Sequence, residues 1–185
     1  MENQQVDLPE TPSTSRRKLI TSLIAGGAVV AASPLLATRA SAESTSPARD
    51  NADNPLLNAL LDAESNAVAT YAAAVKAVSD EDDVAALTLL HDHHLAYVQA
   101  FKGYLGRAAG EGTSNAQAMS GSIQQMAAQL SGIEKNLVTT HTGALNTING
   151  HDAASLIASI ITMEARHAAA LDIIAGNSPL QAAGA

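Results

Sequence analysis

Apolar side chains return along this chain at helical intervals in four separate stretches, with turn signals between them. Asn54-Pro55 opens the first as N-cap and first helical residue, and Leu57, Leu60, Leu61, Val68, Tyr71, Val75 and Val78 follow on one face. Ser79 to Asp83 then breaks the period and supplies acids suited to the positive N-terminal end of a second helix. That helix shows Val84, Leu87, Leu90, His91, His94, Tyr97, Val98 and Phe101 on one face and runs out at Gly103 to Gly106. The third carries Ile123, Met126, Leu130, Ile133, Leu137, His141, Leu145 and Ile148, and Asn149-Gly150 ends it. Asp152 caps the fourth, which contains SLIASIITMEARHAAALDII and stops at Gly176-Asn177-Ser178-Pro179.

The short acidic turn makes the first two helices antiparallel neighbours. Residues 107–122, RAAGEGTSNAQAMSGS, are small, polar and without period. A helix of about 23 residues is roughly 35 Å long, and about 13 extended residues cover that distance, so this segment can carry the chain back to the starting end. Ser114 with Gln117 and Ser122 with Gln125 both fit a capping box for the third helix. The expected fold is all-α, an antiparallel four-helix bundle with a long crossover between helices two and three.

Polar residues interrupt these apolar faces at particular places. Glu64 lies in the middle of the first stripe and Glu134 in the third. In the fourth, Glu164 and His167 are three apart, hence on one face, among Leu156, Ile157, Ile160, Ile161, Ala168 and Leu171. A carboxylate and an imidazole pointing into a core are costly without partners. One such pair in isolation reads as a buried salt link. Sliding the chain against itself by 70 residues adds to the picture, because Leu60 falls on Leu130, Glu64 on Glu134 and Asp82 on Asp152. In the same register His94 falls on Glu164, Tyr97 on His167 and Tyr71 on His141. The hairpin lengths also put Glu64 level with His94, and Glu134 level with Glu164. Four polar groups on buried faces then meet at one height. Tyr71 and His141, two turns from the two glutamates, are expected as hydrogen-bonding partners of that layer. Asp92 and His93 are expected to turn from the His94 face into solvent, His151 to be exposed, and Met126 and Met163 to be core.

Composition narrows the chemistry further. The 185 residues include no cysteine, which excludes disulfides and thiolate chemistry. A formal net charge of −8 argues against a nucleic-acid partner, since phosphate binding needs a basic face. No phosphate-binding glycine loop and no G-x-S-x-G elbow is present, which leaves hydrolytic chemistry without a motif.

The N-terminus, STSRRKLITSLIAGGAVVAASPLLATRASA, pairs Arg16-Arg17 with a Gly/Ala-rich apolar stretch and the small-residue site Ala40-Ser41-Ala42. It resembles a twin-arginine translocation signal: Ser15, Arg16 and Arg17 match that motif, and Leu19, Ile20 and Thr21 depart from it. Gly26-Gly27 and Ser33-Pro34 interrupt the run, which disfavours a transmembrane anchor. Residues 1–42 are therefore read as a signal cleaved after Ala42, 43–54 as a flexible leader, 55–176 as the bundle and 177–185 as a tail. Cleavage would leave 6 basic and 15 acidic residues, a formal −9. The resemblance implies the twin-arginine translocase as a partner during export, and a periplasmic, envelope or extracellular location. The mature domain is not expected to be membrane-embedded, and a homodimer is compatible with it.

One Glu from each of two helices and E-x-x-H from the other two is the di-metal carboxylate arrangement. On Glu64, Glu134 and Glu164-x-x-His167, residues 55–176 resemble the ferritin-like proteins, specifically small exported bacterial ones. The resemblance implies metal ligation by Glu64, Glu134, Glu164 and His167, with His94 in the helix-two position. Helix two departs from the pattern, because His94-x-x-Tyr97 stands where E-x-x-H is expected. Three carboxylates then remain instead of four, with Tyr97 as a weak further ligand and His91, one turn earlier, as a substitute imidazole. The implied cofactor is a di-iron or di-manganese centre, or a single divalent ion, serving metal or oxidant handling. The alternative is an envelope or stress bundle that binds none. Redox turnover is not implied by these residues alone.

Overall fold

The computed structural model describes residues 51–178. The twin-arginine motif, the cleavage site, most of the leader and the end of the tail lie outside the described residues. Four helices form the fold, and among the described residues there is no strand: α1 (Asn54–Ala77), α2 (Glu81–Leu105), α3 (Ile123–Leu145) and α4 (His151–Ala175). Single 3-10 turns, Asn51–Asp53 and Gly106–Ala108, precede α1 and follow α2. The two hairpins, α1 with α2 and α3 with α4, are the tight pairings, and they face each other through α1 against α3 and α2 against α4. No helix among the described residues is long and apolar enough to cross a membrane.

The helix ends follow local chemistry, with three departures from expectation. Asp80 caps α2, its carboxylate accepting from the Asp82 and Asp83 N–H groups at 3.1 and 3.2 Å. At α3 the capping box is Ser122 with Gln125, both reciprocal bonds being made. Helix α1 starts at Asn54 with Asp53 in the cap position, so Asn54 is not the N-cap. Gly150 rather than Asp152 caps α4, and α3 stops at Leu145, four residues before Asn149. Asp53 explains why that turn is held open. It belongs to the stretch read as leader, yet it is buried, and its carboxylate accepts from Asn149 N (3.0 Å), Asn149 Nδ2 (2.9 Å) and Gly150 N (2.8 Å). One side chain at the start of α1 thus fixes the α3–α4 turn, 96 residues along.

The crossover is bound to α1 by a periodic device. Asn58, Asp62, Asn66 and Thr70 recur every four residues, which spaces them about 6 Å apart along the helix. Two extended residues advance about 6.6 Å, so backbone N–H groups at alternate crossover positions fall in step with this row. Gly110 N donates to Asn58 Oδ1 at 2.7 Å, Thr113 N to Asp62 Oδ1 at 2.7 Å, Asn115 N to Asn66 Oδ1 at 2.6 Å and Gln117 N to Thr70 Oγ1 at 3.2 Å. The first interval has three residues instead of two, and Gly112, at φ +86, absorbs the extra one. A Cβ there would stand 2.5 Å from Ser65 Oγ. Gly112→Ala therefore combines a strained dihedral with a clash. It is expected to cost about 1–3 kcal/mol in chemical denaturation and to speed amide exchange at Gly110, Thr113, Asn115 and Gln117.

Inside the bundle the apolar residues form two clusters. One gathers Leu87, Leu90, Met126, Leu130 and Leu171 near the α1–α2 turn; the other gathers Leu57, Leu61, Phe101, Ile157 and Ile160 near the α3–α4 turn. Between them lies a polar layer.

Candidate metal centre

Every helix contributes to that layer. Glu64 comes from α1, His93 and His94 from α2, Glu134 and His141 from α3, and Glu164 and His167 from α4. Six of the seven are wholly buried and His93 is 8% exposed. The open groove between α1 and α3, about 560 Å3, is lined by residues such as Asn66, Thr70, Asn136 and Thr140 and by no titratable side chain. The chemistry lies beneath it, sealed at both ends by the apolar clusters.

His94 stands at the centre. Its Nδ1 lies 2.7 Å from Glu64 Oε2 and its Nε2 2.9 Å from Glu134 Oε1. A neutral imidazole has one N–H, so two carboxylate neighbours require a second proton or a cation. Burial disfavours the His94 cation, but the Glu134 and Glu64 carboxylates outweigh it and hold the imidazole well above its usual range. Burial likewise pushes Glu134 up, and His94 and His167 override it, leaving that carboxyl well below normal. Glu164 is the opposite case. Burial raises it, His141 pulls it back only partly and Glu64 repels its charge, so the carboxyl is pushed up to about 7.

The 70-residue repeat appears as an approximate two-fold exchange of partners. Tyr71 of α1 hydrogen-bonds Glu134 of α3, and its repeat mate His141 of α3 approaches Glu64 of α1, Nε2 to Oε1 at 3.4 Å. Burial, then the Glu134 charge, holds the Tyr71 phenol well above its usual range, so it stays a donor. His141 goes further than the partner role expected of it. Its Nδ1 is 3.1 Å from Glu164 Oε2, which places the ring between two carboxylates inside the layer. Burial lowers His141 and Glu164 more than compensates, giving a net rise. Tyr97 is half-buried and sets its ring edge-on to His94, centroids 5.7 Å apart. Burial, then Glu64, raises its phenol.

Two expectations for α2 need correction. His91 supplies no imidazole to the layer; it is a quarter exposed and pairs with Asp92 at 2.9 Å. His93, expected in solvent, is buried instead, its Nδ1 2.9 Å from His167 Nε2 and the two rings stacked 5.1 Å apart. The reason is that α2 packs against both α1 and α4, so its buried face is wide enough for neighbours 100° apart. His94 turns towards Glu64 and Glu134, and His93 towards α4. Burial, then the neighbouring His167 and His94, depresses His93 to about 4. A doublet of histidines inside an apolar stripe is the signal that would have found it. Asp92 and His151 are exposed, and Met126 and Met163 buried, as expected.

Seven buried side-chain atoms in this layer have no hydrogen-bond partner: Glu64 Oε1, Glu134 Oε2, both oxygens of Glu164, His93 Nε2, His141 Nε2 and His167 Nδ1. No ion pair with lysine or arginine reaches Glu64, Glu134 or Glu164 among the described residues. Orphaned carboxylate and imidazole atoms, without a fixed cation, are the donor set a divalent metal takes. Two triads, Glu64–His94–Glu164 and His94–Glu134–His167, each bring three ligand atoms within 4.8 Å of one another.

An all-α bundle whose core carries such a layer is a carboxylate–imidazole helical bundle with a long crossover. The ferritin-like domain matches residues 52–177, and the chain belongs to that family. No curated protein and no solved structure gives a significant match.

Proposed function

We propose that this is an exported metal-binding ferritin-like protein, holding iron or manganese in the bundle core and serving metal or oxidant handling in the cell envelope. The observation that carries the reading is the concentration of buried polar atoms without a hydrogen bond in one layer, on three carboxylates and three imidazoles. Carboxylate–imidazole contacts of 3.1 to 3.5 Å relieve five of the seven only in part, and leaving a buried polar atom unsatisfied costs roughly 1–3 kcal/mol, so the layer favours a bound cation. Glu64, Glu134, Glu164, His94 and His167 would hold the ion, and His141 and Tyr71 would orient Glu64, Glu164 and Glu134. Bound iron or manganese would supply redox and Lewis-acid chemistry. The protein's part is to exclude water with the apolar clusters and to keep Tyr71 protonated against Glu134. Export rests on the twin arginines and the Ala40-Ser41-Ala42 site.

The test is elemental analysis of protein exported in its native host, with the N-terminus sequenced. The expected result is a chain beginning at Glu43 with stoichiometric divalent metal. A metal-free product that also takes up no iron, manganese or zinc on titration would overturn it. The second reading, a bundle without metal chemistry, draws on one observation: His94 engages Glu64 and Glu134 through both ring nitrogens and so satisfies part of the layer by itself.

A further inference from the structure

The open groove between α1 and α3 follows the 70-residue repeat. Asn66, Ala67 and Thr70 line it from α1, and their repeat mates Asn136, Leu137 and Thr140 line it from α3. The groove is therefore centred on the approximate two-fold that relates Glu64 to Glu134. Ala67 lies three residues after Glu64 and four before Tyr71, and Leu137 lies three after Glu134 and four before His141. At that spacing each shares the face of its glutamate. Each is also nearly buried, 2% and 7% exposed, and yet lines the groove. Solvent and the two carboxylates are thus separated here by one methyl and one isobutyl side chain. Other approaches are closed. The apolar clusters fill both ends, the hairpins pack tightly along two flanks, and the His93 and His167 rings stack between α2 and α4.

The polar groups on the groove walls are amides and hydroxyls, with no charge among them. On the α1 side the crossover ties them down, Asn115 N donating to Asn66 Oδ1 and Gln117 N to Thr70 Oγ1. On the α3 side Asn136 and Thr140 are exposed. Neutral oxygens replace part of a cation's water shell without trapping the ion, which suits passage rather than storage. Beneath them, Glu64 Oε1 and Glu134 Oε2 are buried without a hydrogen bond and supply the charge that draws a cation inward. We propose that this groove is the entry for a divalent cation, and that Leu137 and Ala67 set the rate at which the ion passes. This route rests on the reading that the core binds metal, and adds where the ion enters. A side chain in the path changes the barrier equally for entry and exit, so both rates move together and affinity stays.

Metal-free mature protein is mixed rapidly with cobalt, whose visible spectrum gives the association rate, and release to a chelator gives the dissociation rate. Circular dichroism checks that each variant is folded. Leu137→Val is compared with Ile157→Val, which removes the same single methylene from the cluster near the α3–α4 turn. Leu137→Val should raise both rates at least about threefold and Ala67→Leu should lower both at least about threefold, with the dissociation constant held within about twofold. Ile157→Val should match the wild type. Asn136→Asp tests the same path from the exposed rim, without disturbing the core. Its added carboxylate should speed association at least about twofold at low ionic strength, and the gain should vanish near about 0.5 M salt. Equal acceleration by Leu137→Val and Ile157→Val, or an association rate unmoved in all three groove variants, overturns the route while leaving metal binding intact. A wild type that takes up no cobalt overturns the metal-binding reading, and the route with it.

Discussion

Replacing Glu164 and His167 together by alanine is expected to abolish the stabilisation that divalent metal gives this bundle. The wild type, titrated to a free-metal concentration about a hundredfold over its dissociation constant, should gain about 2.7 kcal/mol. For a domain of this size that is on the order of 10 °C in the unfolding midpoint. The double variant should show no shift, because each triad loses a member and Glu164 removes two of the unpaired oxygens. In metal-free buffer the comparison changes character. Glu164 is then a buried carboxyl with only His141 Nδ1 beside it, at 3.1 Å, and its loss relieves a desolvation penalty that offsets the cavity left by two truncations. The two metal-free proteins should therefore unfold within about 1 kcal/mol of each other. Thermal unfolding of both chains, with metal and with a chelator, gives the four numbers. A metal-induced shift that survives in the double variant would falsify the assignment of these residues.

The second large effect is expected far from the metal layer, at Asp53. Its carboxylate takes the backbone N–H groups of Asn149 and Gly150 and the Asn149 amide, and Asp53→Ala would strand those donors at the foot of the bundle. Hydrogen bonds to a charged acceptor are each worth about 1.5–3 kcal/mol net, so a loss of about 3 kcal/mol is expected in urea unfolding. That is a large share of the 5–15 kcal/mol typical of a domain. The effect should depend on pH. Burial raises the Asp53 carboxyl, but the Asn149 and Gly150 donors outweigh it and hold the group below its usual value. A depressed folded value means that the unfolded chain binds the proton more readily. The Asp53 contribution is thus complete above about pH 4–5 and is lost as pH falls through the folded value. Wild type and Asp53→Ala should converge in stability towards pH 2–3. A constant gap from pH 7 to 3 would place the effect elsewhere.

Much of the layer was legible before any fold was known. Glu64, Glu134, Glu164 and His167 announce themselves because each is a charged or polar residue within an apolar period, and helical spacing alone puts it on a buried face. The 70-residue register added Tyr71 and His141 as a related pair, and the structure makes them partners of opposite glutamates. His93 departs from its sequence expectation, being buried against His167. Helical spacing gives an angle and no width, and how much of α2 is covered depends on which two helices flank it. The acceptor row Asn58, Asp62, Asn66 and Thr70 stands in the sequence as a period of four. Its meaning required knowing that the crossover lies along α1 in extended form.

The sequence by itself determined the four helices, their approximate ends, the long crossover and the buried face on which most of the polar layer sits. These follow from period and turn chemistry, which are local. Only the tertiary structure decided that Asp53 clamps a turn 96 residues away, that His141 stands between Glu64 and Glu164, and that His93 enters the core against His167. Those contacts join residues whose separation along the chain carries no signal. They are set by how the hairpins face one another, α1 on α3 and α2 on α4.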